Sequence, residues 1–229
     1  MTDAIDELTL PARVVRADAV YRAIEERILS RALPAGQRIN IDALARELNV
    51  SPTPVREALG RLAAERYVTF APYKGYAVVP VVTPRQHADM TSVRRLLEVE
   101  GARQAVLRAT ATHLHAIRRE LDTIEEALAD GVVDAPRWRE HSRAIHELLM
   151  RASDNDALCD VWRALKPPLM IARAQFGMAE VNYQLAFTEH RAIYEAIRSR
   201  DAEAAMAAVN AHIDAAEDRI VAAFPSGGS

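Results

Sequence analysis

Two sets of side chains in this sequence have the types and spacing for chemistry. The first is imidazole: seven histidines, His87, His113, His115, His141, His146, His190 and His212. His146, His190 and His212 fall in three separate helical segments, each near an apolar face. Ile145 and Leu149 flank the first, Ile193 and Ile197 follow the second, and Val209 and Ile213 surround the third. Three neutral imidazoles brought together, with coordination positions left open, suit Zn²⁺, Ni²⁺ or a similar borderline divalent metal. Spacing along the chain does not itself bring them together, and each one alone reads as a satisfied, half-buried histidine. The second set is Ser51-Pro52-Thr53-Pro54-Val55-Arg56-Glu57-Ala58-Leu59. Hydroxyls at the start of a short helix and arginines on its surface suit the edges of bases and the phosphates of a DNA major groove.

The elements around that second set can be read from periodicity. Ile41-Asp42-Ala43-Leu44-Ala45-Arg46-Glu47-Leu48 predicts a helix, with Leu44 and Leu48 on one face. Asn49-Val50 breaks it. Ser51 or Thr53 can cap the next helix, and Pro54 suits its first turn, where a missing N–H costs nothing. Val55, Leu59 and Leu62 form the inward stripe, leaving Arg56, Gly60 and Arg61 on other faces. Two β-prone runs follow, Tyr67-Val68-Thr69-Phe70 and Tyr76-Ala77-Val78-Val79. They are joined by Ala71-Pro72-Tyr73-Lys74-Gly75, which has turn chemistry and a basic tip. An upstream helix from about Ala17 to Ser30 carries Val20, Ile24 and Ile28 on one face, and Pro34-Ala35-Gly36 ends that segment. Together these describe a winged helix-turn-helix with one small core.

Pro80-Val81-Val82-Thr83-Pro84 reads as an extended connector, with Thr83 capping the next helix and Pro84 at its first position. Beyond it the periodicity is helical throughout, in six segments near 84–109, 111–130, 134–153, 155–177, 183–199 and 201–223. Gly131 and Asp154-Asn155 mark breaks, and Lys166-Pro167-Pro168 is expected to kink or split the fourth segment. The fold class is therefore mainly α: a winged unit, then an all-α bundle. The expected boundaries are a flexible arm at 1–13, the winged unit at 14–80, a linker at 81–84, the helical unit at 85–224, and a disordered tail at 225–229.

Composition sets limits. The chain has 229 residues, half of them hydrophobic, and a net charge of −3. Residues 1–80 carry 11 basic and 10 acidic groups, so any DNA-contacting charge must be local, and a dimer would double it. No apolar run reaches membrane-spanning length, and the acidic N-terminus is unlike a secretion signal, so a cytoplasmic location is expected. The single cysteine, Cys159, excludes an intramolecular disulfide and reads as a small buried hydrophobe.

Leu33-Pro34-Ala35-Gly36-Gln37-Arg38-Ile39, then Leu44-Ala45, the Ser51–Leu59 run and Lys74-Gly75-x-x-Val78 resemble the N-terminal domain of GntR-type bacterial transcription regulators. Arg46, Thr53, Arg56 and Gly75 stand at matching positions. Two departures stand out. Pro52 replaces an arginine and Glu65-Arg66 replaces Glu-Gly, which removes one basic contact and with it the expectation of the family's usual operator. Residues 85–224 resemble the FCD ligand-binding domain of the FadR subfamily. The matching pieces are Arg94-x-x-Leu97-Glu98, Ile145-His146-x-x-Leu149 with Ala152-Ser153-x-Asn155, and His190-x-x-Ile193-x-x-Ala196-Ile197-x-x-x-Asp201-x-x-x-Ala205 with His212.

The resemblance implies a metabolite-responsive DNA-binding regulator, working as a homodimer on a short palindromic operator, with repression relieved by ligand as the commoner arrangement. It implies DNA contacts from Arg46, Ser51, Thr53, Pro54, Arg56, Arg61, Lys74 and Gly75. It also implies that His146, His190 and His212 converge on a divalent metal, against which a small carboxylate effector sits. The family's fourth ligand is an aspartate one turn before the first histidine; here that position is Ser142, a poor ligand. His141 does not simply replace it, since five residues carry it about 140° round the helix. Without that carboxylate, metal affinity should drop and the pocket should be more positive; the alternative is an effector bound with no metal. Arg94 either contacts the effector or pairs with Glu98, four residues on. Trp138, Trp162, Tyr183 and Tyr194 fill the core or line the cavity. Two rival readings are a metal-dependent hydrolase or isomerase, for which no acid in register with the histidines is found along the chain, and a DNA-binding regulator with a degenerate effector site. No catalytic set is assigned.

Overall fold

Hydrophobic spacing and capping residues produce nearly every element. The computed structural model describes residues 12–80, 83–176 and 182–221, and the chain divides into two compact units, Met1–Val81 and Val82–Ser229. Most of the expected arm, Val81 and Val82 of the connector, and the tail at 225–229 lie outside the described residues.

The first unit contains α1 (Ala12–Leu29), β1 (Arg38–Ile39), α2 (Ile41–Glu47), α3 (Pro52–Ala64), β2 (Val68–Ala71) and β3 (Gly75–Val78). Val20, Ile24 and Ile28 of α1 meet Val55, Ala58, Leu59 and Leu62 of α3 in a core closed by Leu44, Tyr67, Val68 and Val78. Asn40 caps α2 by accepting from the Ala43 N–H at 2.9 Å. Asn49 takes a left-handed backbone (φ 53°), which turns the chain from α2 into α3. Ser51 is the N-cap of α3, but its side chain makes no capping bond; Thr53 lies inside the helix, which begins at Pro52. The sheet is antiparallel in the order β1-β3-β2, with Phe70 opposite Tyr76 and Ile39 on its other side. Two-residue β1 was not expected from the sequence, because two residues carry no period. Arg66 stands where a glycine was noted for the family, and it adopts φ 63°.

The second unit has six helices: α4 (Pro84–Arg108), α5 (Ala111–Ala129), α6 (Ala135–Arg151), α7 (Asp156–Phe176), α8 (Tyr183–Arg198) and α9 (Ala202–Val221). A reciprocal Thr83–Gln86 capping box opens α4, with Pro84 in its first turn. At the other end of α4, Arg200 donates to the carbonyls of Val106 and Ala109, each at 2.6 Å, satisfying groups the helix cannot. Helix α7 is not split at Lys166-Pro167-Pro168: it runs unbroken to Phe176. Two prolines delete two N–H donors, which removes the helical bonds to the Arg163 and Ala164 carbonyls without requiring the chain to leave the helical region. The core joins Ala105, Ile117, Leu121, Ile124, Ile145, Phe187, Ile193, Ile197, Val209 and Ile213. Trp138, Trp162 and Tyr194 are buried, and Tyr183 packs partly buried against that core. Gly101 on α4 leaves room for Met150 of α6: a Cβ there would come within 2.8 Å of its sulfur. Cys159 is buried and donates to the Met150 carbonyl at 3.3 Å. Among the described residues, no helix is long and apolar enough to cross a membrane.

Candidate metal centre and nucleic-acid interface

Helices α6, α8 and α9 each contribute one histidine to the interior of the second unit. His146, His190 and His212 are all buried, and one potential ligand atom from each lies within 4.8 Å of the others. Nε2 of His212 is 3.2 Å from Nε2 of His146. The opposite edges of these rings meet carboxylates. His212 Nδ1 donates to Glu189 Oε2 at 2.8 Å, and His146 Nδ1 is 3.5 Å from Glu98 Oε2. His190 Nδ1 instead meets Nε2 of a fourth buried histidine, His141, at 3.2 Å, and His141 Nδ1 donates to Glu120 Oε1 at 2.9 Å. Trp138 stacks parallel to His190, with ring centres 5.7 Å apart.

Charge in the site is held by α4. Arg94 clasps Glu98 through two bonds, Nε to Oε1 at 2.8 Å and Nη2 to Oε2 at 3.1 Å, with both side chains buried. Trp162 Nε1 donates to Glu98 Oε1 at 2.8 Å. Nη2 of Arg94 also lies 3.4 Å from His146 Nε2. Arg94 is thus in the intrahelical pair and at the imidazole cluster together. Burial opposes the charge on Glu98, but the Arg94 guanidinium and the bonds from Arg94 and Trp162 hold its carboxyl below the usual range. Glu189 is held down to about 2: burial again opposes, and the bonds from His212 and Arg219 prevail. His212 is itself below the ordinary histidine value, because desolvation outweighs the Glu189 bond.

The adjoining cavity is small, about 10 Å³, and is lined by Glu98, Ala102, His146, Leu149, Ile193 and Val209 among others. That is the room of one water or ion. Ser142 is half-buried one turn before His146.

Register along single helices does not reveal the three carboxylates around these rings. Glu98, Glu120 and Glu189 reach the imidazoles from helices that face them, and only tertiary packing reveals such partners. His141 was legible in principle: Trp138, His141, Ile145 and Leu149 sit at spacings of three, four and four, and all four are buried. Its contact is with His190 on α8, not with the position of Ser142.

In the first unit, Thr53, Arg56 and Gly60 are exposed along one edge of α3. Arg46 and Ser51 are also exposed, and they border an open concavity with Asn49 and Pro54. Lys74 is exposed at the hairpin tip, and Gly75 adopts φ 75°, with nothing within 4 Å of where a Cβ would lie. Tyr73 projects fully at the same tip. Arg61, expected beside these residues, is drawn the other way: it donates to Asp18 of α1 and stacks over Tyr21, 4.6 Å from the ring centre.

A winged helix-turn-helix unit followed by a helical unit with a buried imidazole cluster defines the class of two-domain, DNA-binding transcription regulators. The family model for bacterial regulatory proteins of the gntR family matches residues 16–78, and that for the FCD domain matches residues 89–215. The Nta operon transcriptional regulator of Aminobacter aminovorans is 30% identical over 186 residues, covering 81% of this chain and 85% of its own. The gluconate operon transcriptional repressor of Bacillus subtilis (strain 168) is 25% identical over 201 residues, covering 85% and 80%. Among solved structures, E. coli McbR/YncC superposes with a TM-score of 0.74 at 21% identity, covering 92% of this chain and 99% of that one. The chain belongs to the GntR family of DNA-binding transcriptional regulators and carries an FCD domain. These relatives are regulators of transcription, not enzymes.

Proposed function

We propose that this protein is a homodimeric repressor whose grip on a palindromic operator is set by a small carboxylate metabolite, bound near a divalent metal held by His146, His190 and His212. The observation that carries the ligand side is the convergence of three buried imidazoles with carboxylates behind them. Arg94 can only donate, so the lone pair of His146 is on Nε2; His212 donates from Nδ1, so its lone pair is on Nε2 as well. Two lone pairs 3.2 Å apart repel, and a cation between them relieves that repulsion. The donor set of neutral imidazoles fits Zn²⁺ or Ni²⁺. When bound, such an ion supplies a positive centre for an anionic ligand. Arg94 adds a guanidinium beside it, and a metabolite larger than the 10 Å³ cavity enters only if Arg94 or the surrounding helices shift. The same arginine supports a second reading, an effector anchored on Arg94 with no metal.

On the DNA side, Arg46, Ser51, Thr53 and Arg56 would face the major groove. Pro54 stiffens the first turn, and Lys74 and Gly75 bring the wing to the backbone. Arg61 is assigned to holding α3 against α1. The repressor reading is supported by the name of the Bacillus subtilis relative. In a dimer, the two recognition helices would sit about one turn of DNA apart. Effector and operator would then be coupled by about 1–3 kcal/mol. Metal content of the purified protein, beside gel shifts on its own promoter region with and without small carboxylates, tests both halves. No metal and no carboxylate response would overturn the ligand side; no shifted promoter would overturn the operator side.

A further inference from the structure

His190 differs from the other two clustered histidines in having another imidazole, not a carboxylate, behind it. His141 on α6 is 3% exposed and bridges Glu120 of α5 to His190 of α8. Proton bookkeeping gives the bridge a direction. A carboxylate oxygen only accepts, so His141 carries its proton on Nδ1. With His141 neutral, its Nε2 is a lone pair, and His190 must donate to it from Nδ1. A neutral His190 then keeps its remaining lone pair on Nε2, an atom sealed from solvent. Trp138, stacked parallel on the His190 ring, fixes the plane of that ring, and His141 fixes its rotation within the plane.

We propose that Glu120 and His141 form a positioning relay that holds His190 as its Nδ1–H tautomer and so presents Nε2 as a metal donor. This rests on the metal reading above. It completes a pattern: each of the three imidazoles has its outer nitrogen committed, His212 to Glu189, His146 beside Glu98, and His190 through His141 to Glu120. Two of the outer carboxylates, Glu98 and Glu189, are already paired with Arg94 and Arg219, so Glu120 brings negative charge to the cluster through His141, where Ser142 supplies none. Partners of this kind fix the orientation and raise the basicity of a ligating histidine, and losing one typically weakens metal binding 10–100-fold.

The test uses the full-length protein and Zn²⁺ alone, titrated against a chromophoric chelator. His141→Phe keeps a ring against Trp138 and removes both nitrogens; Glu120→Gln keeps an acceptor without the charge. The expected result is one Zn²⁺ per chain in all three proteins, bound about 10–100-fold more weakly by His141→Phe and less severely weakened in Glu120→Gln. Long-range ¹H–¹⁵N spectra of the metal-free wild type should show His190 protonated on Nδ1, a readout that mere packing would not move and that needs no variant to fold. In His141→Phe that tautomer should lose its dominance. Equal Zn²⁺ affinity in wild type and both variants, or His190 protonated on Nε2 in the wild type, overturns the relay and leaves the metal reading standing. Failure of the wild type to bind Zn²⁺ or Ni²⁺ overturns both.

Discussion

His212 and His146 face each other Nε2 to Nε2 across 3.2 Å, and each has a carboxylate at its opposite edge. Glu189 and the Arg94 guanidinium leave both inner nitrogens as acceptors, so the pair is built to share something positive. A single metal ion per chain is therefore expected in wild-type protein after incubation with Zn²⁺ or Ni²⁺. In a His146→Ala/His190→Ala variant it should be lost. Elemental analysis of the two proteins measures this directly, and equal metal content would show that any ion is held elsewhere.

The metal-free protein should lose stability as pH falls, and through these same groups. His212 is held below its unfolded value, so the folded state favours the neutral ring. Its contribution is present above the ordinary histidine range and declines as pH falls below about 6.5, where the unfolded chain takes up the proton first. Glu189, held at about 2, contributes fully above the unfolded glutamate value, and that contribution fades as pH falls from about 4.5 toward 2. Both act in one direction. Melting temperature should drop between pH 7 and 4 and more steeply below, and Glu189→Gln should flatten the lower limb. Acid should release bound metal over the same range, since protons compete for imidazole. A pH-independent melting temperature would contradict the assignment.

Arg56 and Arg61 lie on one helix but should behave oppositely. Arg56 is exposed on the edge shared with Thr53, and its loss should weaken operator binding by about 1–3 kcal/mol if it reads a base, with little change in stability. Arg61 is exposed too, yet it is engaged with Asp18 and the Tyr21 face. Arg61→Ala should lower stability of the first unit by about 1 kcal/mol, the sum of a weak surface pair and a cation–π contact, while leaving operator affinity near wild type. Gel shifts and thermal melts on the two alanine variants separate the roles; a large binding loss with Arg61→Ala would return it to the DNA face.

How far the sequence could be read follows from the range of each signal. The helices of the second unit were legible because Thr83 and Pro84 open α4, Gly131 and Asp154-Asn155 mark breaks, and apolar stripes run for several turns in α5, α6 and α8; the buried face of α4 is largely polar, with His87, Thr91, Arg94 and Glu98. The winged unit was legible from Leu44, Val55, Leu59 and Leu62 with the turn at Asn49. Strand β1 was too short to carry a pattern. Convergence of the three histidines needed either a family resemblance or coordinates, because His146 and His212 are 66 positions apart in the chain. Their carboxylates were invisible for the same reason. Glu189 precedes His190 directly, yet it serves His212 on the next helix.

Arg94 and Glu98 were open between an internal pair and an effector contact, and the buried geometry makes the internal pair costly to break. Both side chains are 6% exposed, and beyond Arg94 the carboxylate meets Trp162 Nε1 at 2.8 Å and His146 Nδ1 at 3.5 Å, neither of which replaces a guanidinium. Removing the guanidinium leaves a carboxylate in a low-dielectric interior, a loss typically of about 3–5 kcal/mol. Removing both charges together leaves no uncompensated ion, and well-packed apolar replacements are often neutral. Arg94→Met should thus destabilise strongly, and Arg94→Met/Glu98→Leu should recover most of that loss. Chemical denaturation of the two singles and the double closes the cycle. If the double is no better than Arg94→Met, the pair is not the dominant partner of either residue. If the double is stable but no longer responds to carboxylates that act on the wild type, Arg94 is free in the native protein to trade Glu98 for a ligand, which is how a buried ion pair becomes a receptor.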